Sequence, residues 1–142
     1  MVNSIQKGKR FERETAKMLS KATGAEWKRV PQSGAFSTVN RSDDPRFFGD
    51  VFAEHENYND LVVECKSYKN FSINDLFNYK SKFWKWVSQA RQESKGLHWL
   101  LFFKIDNKGV FVTFNEEHAI LTIGRETENQ IRINNTRVMK IK

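Results

Sequence analysis

Three charged residues near the middle of the sequence have the types and the spacing of a hydrolytic centre. Residues 61–66 read LVVECK, an apolar run that ends with Glu64 and Lys66 two positions apart. The apolar stretch before it, FFGDVFAE, contains Asp50. Carboxylates bind divalent cations, and an ammonium stabilises negative charge on a reacting oxygen. The residue types therefore allow metal-assisted hydrolysis, provided that the fold brings them together.

A hairpin would bring these residues together. We predict that the chain folds back antiparallel about Asn57, so that Asp50 opposes Glu64. Because side chains alternate between the faces of a strand, Lys66 then shares their face and Cys65 points into the core. Two opposed carboxylates repel each other, and a divalent cation such as Mg²⁺ between them would compensate. Lys66 would orient an attacking water or stabilise charge on a phosphate.

The same pattern also fits an ordinary surface. Glu-x-Lys triplets occur elsewhere in the chain, at Glu26 and Glu93, and a lone triplet is usually solvated. Glu64 differs because it lies in an apolar strand. A second acid, Asp50, precedes it at a position that would place both side chains on the same face of the hairpin. A metal site and a fortuitous acid pair both remain open at this point.

Alternating helix and strand patterns around these residues predict an α/β domain. Helical spacing of apolar residues predicts a first helix from Ser4 to Ala22. A short strand, AEWKRV, is followed by the polar stretch PQSGAFSTVNRSDDPR, which is typical of a loop. Residues 72–94 predict one long helix, with Ser72 and Asp75 forming a capping box. LHWLLFFKI predicts a buried strand, which DNKG turns into the strand VFVTF.

Length and composition restrict the function classes. The 142 residues suffice for one domain, and we predict a single domain over residues 1–142, with 120–142 as an extension of undetermined structure. The single cysteine, Cys65, excludes a disulfide framework, and the three histidines are too scattered for a zinc site. No stretch resembles a signal peptide or a membrane span. We therefore expect a cytoplasmic protein, without membrane contact or an organic cofactor.

The charge balance favours a polyanionic partner. Lys and Arg number 24 against 17 Asp and Glu, which gives a formal net charge of +7. Such a charge attracts nucleic acid over long range. The basic residues are spread through the chain, unlike those of a basic tail on a neutral domain.

Together these motifs resemble the PD-(D/E)xK nuclease superfamily, and specifically its archaeal-type Holliday junction resolvases. The superfamily carries an acid on one strand and Glu-x-Lys on the next; GD at 49–50 and ECK at 64–66 match, with glycine in place of the usual proline. KGKRFERETAKML is similar to the resolvase opening, whose additional metal-site acid falls on Glu12. PQSGAF is similar to a segment in which a serine, here Ser33, approaches the scissile phosphate. The likeness covers roughly residues 1–105.

The resemblance implies a restriction-endonuclease-like core, with a mixed central β-sheet flanked by helices, and a Mg²⁺-dependent endodeoxyribonuclease in which Mn²⁺ substitutes. The implied catalytic residues are Glu12, Ser33, Asp50, Glu64 and Lys66. The implied metal ligands are Glu12, Asp50, Glu64 and the Cys65 carbonyl. Gln89 falls where the wider superfamily carries a glutamine that supports the site. The implied phosphate contacts, which position DNA without reading bases, are Lys7, Lys9, Arg10 and Arg13.

The resemblance also implies a homodimer that makes paired symmetric nicks in four-way DNA junctions. Phe77 and Trp84 mark one face of the predicted helix over 72–94, and Tyr79, Phe83 and Trp86 mark a second. That pattern fits a subunit interface and a helix packed on two sides of one domain equally well, and the resemblance favours the dimer.

Other functions and roles remain open. The chain could be a restriction-type, nicking or repair nuclease of the same superfamily, or a basic nucleic-acid-binding module without activity. Glu12 and Gln89 could be solvated helix residues, and Ser33 could serve only its loop. The closing segment RINNTRVMKIK could form an edge strand, a DNA-contacting arm or part of a dimer contact.

Overall fold

The computed structural model describes residues 4–31, 47–115, 130–133 and 135–141. The helices and strands in these ranges are α1 (Ser4–Thr23), β1 (Trp27–Arg29), β2 (Val51–Ala53), a 3₁₀ turn (Glu56–Tyr58), β3 (Leu61–Tyr68), α2 (Asn74–Phe77), α3 (Lys82–Ser94), β4 (His98–Ile105), β5 (Gly109–Asn115), β6 (Gln130–Ile133) and β7 (Thr136–Ile141). None of the described helices is both long and apolar enough to cross a lipid bilayer.

The strands form one mixed sheet. Within the described residues its seven strands have the order β1-β2-β3-β4-β5-β7-β6. β3 and β4 are parallel, and the other neighbouring pairs are antiparallel. A parallel pair needs a crossover connection, which α2 and α3 supply. The predicted α/β class, a restriction-endonuclease-like mixed sheet flanked by helices, is confirmed.

Helices cover both faces of this sheet. α1 buries Phe11 and Leu19 in a cluster that includes Val63 of β3. α3 buries its aromatic residues in a second cluster that includes Val62 of the same strand. Because successive strand residues point to opposite faces, one strand contributes to both cores. β3 is thereby held from two sides, which fixes the positions of the charged residues that it carries.

The predicted first helix and the hairpin after β4 are confirmed. α1 ends at Gly24, whose N–H donates to the Ser20 carbonyl at 3.0 Å and whose φ of +77° suits glycine. β4 and β5 pair antiparallel from Leu100 opposite Phe114 to Ile105 opposite Gly109.

The predicted single helix over residues 72–94 is wrong. The chain is extended at Asn78 and starts α3 after Ser81. The Asn78 side chain accepts a hydrogen bond from the Lys80 N–H at 3.1 Å, a local turn that competes with helix. Half of the predicted capping box forms, since the Asp75 carboxylate accepts from the Ser72 N–H at 2.9 Å. The capping residue of α2 is nevertheless Ile73.

The aromatic residues of this region divide between core and surface. Phe83, Trp84 and Trp86 are buried within the chain, so packing on two sides of one domain accounts for them. Phe77 and Tyr79, at the break between the two helices, are 66% and 61% exposed. The helix pattern by itself therefore does not indicate a subunit interface.

The closing segment belongs to the far end of the sheet. β7 lies between β5 and β6, with Val110 opposite Ile141, and β6 is the outermost strand. The predicted edge strand holds only for Arg132 and Ile133 of β6, whereas Thr136–Ile141 form the interior strand β7. The segment lies at the end of the sheet remote from β1, β2 and β3.

Candidate active site

The β2–β3 hairpin has the predicted register. Val51 pairs with Val63, the pairing expected for a chain that folds back about Asn57. The turn contains the 3₁₀ segment, and the His55 ring nitrogen Nδ1 accepts from the Asn57 N–H at 3.1 Å. Asp50 directly precedes β2 and lies beside Glu64 of β3, with which its side chain shares a hydrogen bond.

Hydrogen bonds fix Asp50 from both neighbouring strands. Its N–H donates to the Val63 carbonyl at 2.7 Å, and its carbonyl accepts from the Val30 N–H at 2.8 Å. Its carboxylate oxygen Oδ2 accepts from the Cys65 N–H at 2.8 Å. The carboxylate is therefore oriented by the backbone rather than by flexible side chains, as a preorganised ligand requires.

Close backbone contact explains why glycine precedes this acid. A Cβ atom on Gly49 would collide with the Val63 carbonyl oxygen and lie 2.9 Å from the Val63 carbonyl carbon and nitrogen. No side chain fits at this distance, because the crowding atoms belong to the backbone. The glycine that replaces the usual proline is thus a requirement of the way the chain enters β2.

Glu64 is buried beside two other carboxylates. Its residue surface is 4% exposed. Burial, followed by hydrogen bonding to Glu93 and the charge of Asp50, raises the pKa of Glu64 to about 11. Without a nearby cation, Glu64 therefore keeps its proton at neutral pH and shares hydrogen bonds with both acids. Among the described residues, neither Asp50 nor Glu64 forms an ion pair with lysine, arginine or histidine.

Glu93 is a site residue that sequence reasoning missed. Its triplet was interpreted as a solvated surface, yet α3 places it in hydrogen-bond contact with Glu64. Gln89 donates from Nε2 to Glu93 Oε1 at 2.9 Å, so it reaches the predicted site through Glu93. Gln89 and Glu93 are four positions apart and share a helix face. Glu93 is also the one acid in the sequence of α3, a signal that could have identified it.

Glu12 approaches from α1 and is held by an arginine. Glu12 Oε2 accepts from Arg29 Nε at 2.7 Å, and its side chain is 15% exposed. Burial raises the pKa of Glu12, the hydrogen bond from Arg29 opposes that rise, and the charge of Asp50 adds to it. The negative charge of Asp50 therefore acts on Glu12, while Arg29 of β1 orients the Glu12 carboxylate. Arg29 is a second residue that sequence reasoning missed, since nothing in the motif indicates its partner.

The remaining predicted catalytic residues differ in their surroundings. Lys66 lies half-buried on β3, two positions after Glu64 and on the same face by alternation, and forms no ion pair with any described residue. Cys65 packs on the opposite side, against the cluster under α1, as predicted. Burial raises the pKa of the Cys65 thiol well above its usual value, so it remains a neutral thiol. Ser33 lies outside the described residues.

The predicted DNA contacts on α1 also divide. Lys9, Arg10 and Arg13 are exposed. Lys7 instead pairs with Asp106 at 2.7 Å, where it joins α1 to the end of β4. Lys7 therefore already serves a structural contact within the chain.

The donor atoms suit a divalent cation. In the described ranges, no group of three or more His, Cys, Asp and Glu residues is already arranged to hold a metal ion. The buried Glu64 and the partly buried Asp50 nevertheless bring carboxylate oxygens together, and no described ammonium or guanidinium pairs with either of them. Hard cations such as Mg²⁺ prefer these ligands, and a cation here would replace the proton of Glu64.

Comparison with known families decides the class of the protein. The profile of the family described as "Phage putative PDDEXK endonuclease" matches residues 3–142. The chain belongs to this family. The chain is also similar to Protein D14 of Escherichia phage T5, with 34% identity over 101 residues, 68% of this chain and 60% of that protein. It thus spans less than two thirds of that relative's length. No solved structure matches it.

Family membership confirms the coarser part of the predicted resemblance. The chain belongs to the PD-(D/E)xK superfamily, in a family whose members are described as putative endonucleases. Nucleases of this superfamily generally use divalent metal ions, and a nuclease binds DNA. The assignment of the superfamily motif to Asp50, Glu64 and Lys66 stays a prediction from the sequence, and these residues lie at the hairpin described above.

Proposed function

We propose that this nuclease is a Mg²⁺-dependent endodeoxyribonuclease that resolves four-way DNA junctions. The observation that carries the proposal is the contact between Asp50 and Glu64 at the base of the β2–β3 hairpin, with Lys66 following on the same strand. The proposal takes residues 1–142 as one nuclease domain.

In this proposal the metal site lies between β2 and β3. Asp50 and Glu64 bind Mg²⁺, for which Mn²⁺ substitutes, and the Cys65 carbonyl and Glu12 complete the ligand set. When bound, the cation supplies Lewis acidity toward the phosphate and lowers the pKa of a coordinated water. The Cys65 N–H holds the Asp50 carboxylate in place, and Arg29 holds Glu12.

The other residues act on the phosphate and on the attacking water. Lys66 orients the water and stabilises the charge that develops on the phosphate oxygens. Ser33 approaches the scissile phosphate. The water oxygen bonds to phosphorus as the bond from phosphorus to the 3′ oxygen breaks, and the 3′ oxygen takes up a proton. The products are a 5′-phosphate and a 3′-hydroxyl.

Junction specificity is the finer part of the proposal. It rests on the resemblance of KGKRFERETAKML and PQSGAF to junction resolvases. Paired nicks need two sites related by a two-fold axis, so the active form is a homodimer. Lys9, Arg10 and Arg13 of α1, exposed and on one helix, contact the DNA backbone.

Another nuclease of the same superfamily, of restriction, nicking or repair type, is the second candidate. The family description names an endonuclease without naming its substrate, and this observation favours neither candidate over the other.

Cleavage of two matched substrates tests the proposal. A four-way junction with a mobile core and a linear duplex made of the same arm sequences would be incubated with the protein, in Mg²⁺ and in EDTA. We expect symmetric nicks in the junction in Mg²⁺ alone, and little cutting of the duplex. Equal rates on both substrates would refute junction specificity and favour the second candidate.

Asp50→Asn separates catalysis from binding in the same experiment. The variant removes a metal ligand but leaves the basic surface intact, so cutting should be lost while junction binding is kept. Unchanged activity in this variant would show that the carboxylates are not the site.

A further inference from the structure

On both long helices, α1 and α3, the acidic side chains face the protein and the exposed charged side chains are basic. On α1 the acids Glu12 and Glu14 are ion-paired with Arg29 and Lys104, and neither is fully exposed. The exposed charged residues of α1 are all basic: Lys9, Arg10, Arg13, Lys17 and Lys21. The same helix thus turns its acids toward the sheet and its cations toward solvent.

α3 repeats this arrangement on the other face of the sheet. Its one acid, Glu93, contacts Gln89 and Glu64. The exposed charged residues of α3 and its C-cap are Lys82, Lys85, Arg91 and Lys95. None of these four forms an ion pair with a described acid. We name the surface formed by Lys82, Lys85 and Lys95 the α3 basic face.

This face begins beside the active site and leads away from it. Lys95 places its ammonium 4.6 Å from the ring centre of Phe48, two residues before Asp50. At the other end, Lys82 lies 5.1 Å from the ring centre of Tyr68, the last residue of β3. At 1.5 Å per helical residue, the face is about 20 Å long. With 3.4 Å between phosphates along one DNA strand, that length matches about six nucleotides.

The two basic helix faces point in opposite directions. α1 packs on the cluster that contains Val63, and α3 on the cluster that contains Val62, so the sheet lies between them. A straight duplex that lies along the outer side of one helix cannot also reach the outer side of the other. DNA that contacts both faces of one subunit must therefore diverge into separate arms or bend sharply.

We propose that the α3 basic face binds the phosphate backbone of a second duplex arm, which leaves the active site on the opposite side of the sheet from the arm on α1. This inference rests on the proposed function, because it assigns a surface to a branched substrate. Its contacts would be sequence-independent, since lysine side chains bind phosphates as point charges.

Binding in EDTA tests the inference without requiring cleavage. Fluorescence anisotropy would measure the affinity of the full chain for the four-way junction and for the linear duplex, over a range of salt concentrations. The variant is the triple change Lys82→Gln, Lys85→Gln and Lys95→Gln. The control neutralises three exposed lysines that lie outside both helices, Lys28, Lys108 and Lys140.

We expect the triple variant to bind the junction roughly 10- to 100-fold more weakly, with the slope of log affinity against log salt reduced by about 2 to 3. Affinity for the linear duplex should change by less than about 3-fold, and the control variant should resemble the wild type on both substrates. Equal losses on junction and duplex, or no loss on the junction, would overturn the inference.

A second variant guards against loss of folding. Lys85 is exposed, and reversing its charge alone in Lys85→Glu should weaken junction binding selectively, while thermal denaturation reports an intact fold. These measurements separate the two proposals. A protein that binds junctions through α3 but cuts none would refute the nuclease mechanism and leave this surface assignment standing.

Discussion

The two ends of the β2–β3 hairpin carry the same residue types in very different surroundings. At the turn, Glu54 is exposed and pairs with Lys28 at 3.3 Å, and Asp60 lies 3.7 Å from His98. At the base, the buried Glu64 meets the partly buried Asp50, and neither has a described cationic partner. Both ends place acids at opposed positions of the hairpin, so spacing alone does not distinguish them.

Solvation makes the difference between the two ends. Exposed ion pairs such as Glu54 with Lys28 are screened by water and contribute about 1 kcal/mol or less. Buried carboxylates lose their hydration and must be protonated, paired or bound to a metal. At the base of the hairpin a cation can therefore replace the proton of Glu64, whereas at the turn Glu54 is already paired with Lys28.

The largest expected effect is on cleavage, and it separates the two ends directly. Glu64→Gln keeps the shape of the side chain but removes the charge that would bind the cation. We expect the cleavage rate to fall by about 10³-fold, since charge stabilisation is usually the largest contribution to catalysis. The matched change at the turn, Glu54→Gln, should leave the rate unchanged. Similar losses in both variants would contradict a distinction based on burial.

A smaller loss is expected at Glu93, which acts through Glu64. Glu93→Gln should reduce cleavage by roughly 10- to 100-fold, the range typical of residues that orient metal ligands. The Mg²⁺ concentration needed for half-maximal activity, and for half-maximal thermal stabilisation, should rise. The adjacent exposed residue supplies the control, since Gln92→Ala should change neither value. A Glu93 variant with wild-type Mg²⁺ dependence would leave this residue without a role in the site.

The next largest expected effect is on the free energy of unfolding, when a methyl group is added at Gly49, just before β2. Gly49→Ala should destabilise the protein by about 1 to 3 kcal/mol, because the added Cβ meets the backbone of Val63. Gly8→Ala is the counterpart on α1, where nothing lies within 4 Å of the added atom. It should stabilise the helix by about 0.5 to 1 kcal/mol. Thermal or denaturant unfolding would measure the change in stability for each variant. If both variants were destabilised, or both stabilised, the close-contact explanation would be refuted.

The most gradual expected effect is the dependence of stability on pH in EDTA. The pKa of Glu64 is raised above its ordinary value of 4.5 in the folded protein. Above that value the unfolded chain releases its proton while the folded chain retains it. Stability should therefore fall as the pH rises from about 5 to 9, by at most about 1.4 kcal/mol per pH unit from this group.

Two variants and the addition of Mg²⁺ test whether Glu64 causes this pH dependence. Glu64→Gln should flatten the decline, whereas Glu54→Gln should leave it unchanged. Mg²⁺ should stabilise the protein more at pH 8 than at pH 6, because binding displaces the proton of Glu64. If the stability of the wild type instead rose over this pH range, and the Glu64→Gln variant behaved identically, Glu64 would be excluded as the cause of the pH dependence.

Local patterns were sufficient to predict the hairpin but not the site around it. Alternation of side chains and one turn position define the register that pairs Val51 with Val63. Glu93 was missed because its contact with Glu64 depends on the path of the crossover, which no local pattern encodes. The break at Asn78 was missed because a side-chain turn replaced a helix that the surrounding residues favour. Arg29 was missed because its bond to Glu12 depends on how α1 packs against β1.

The parallel crossover also orders events while the chain is being synthesised. The motif residues are complete once Lys66 has been made, yet β3 gains its parallel neighbour only after residues 98–105 follow. Until then, α3 lacks the part of its packing surface that β4 supplies, and the position of Glu93 beside Glu64 is not yet fixed. A nascent or truncated chain that carries the whole motif therefore lacks one wall of its site. In the proposed mechanism, DNA cleavage would therefore require the completed fold.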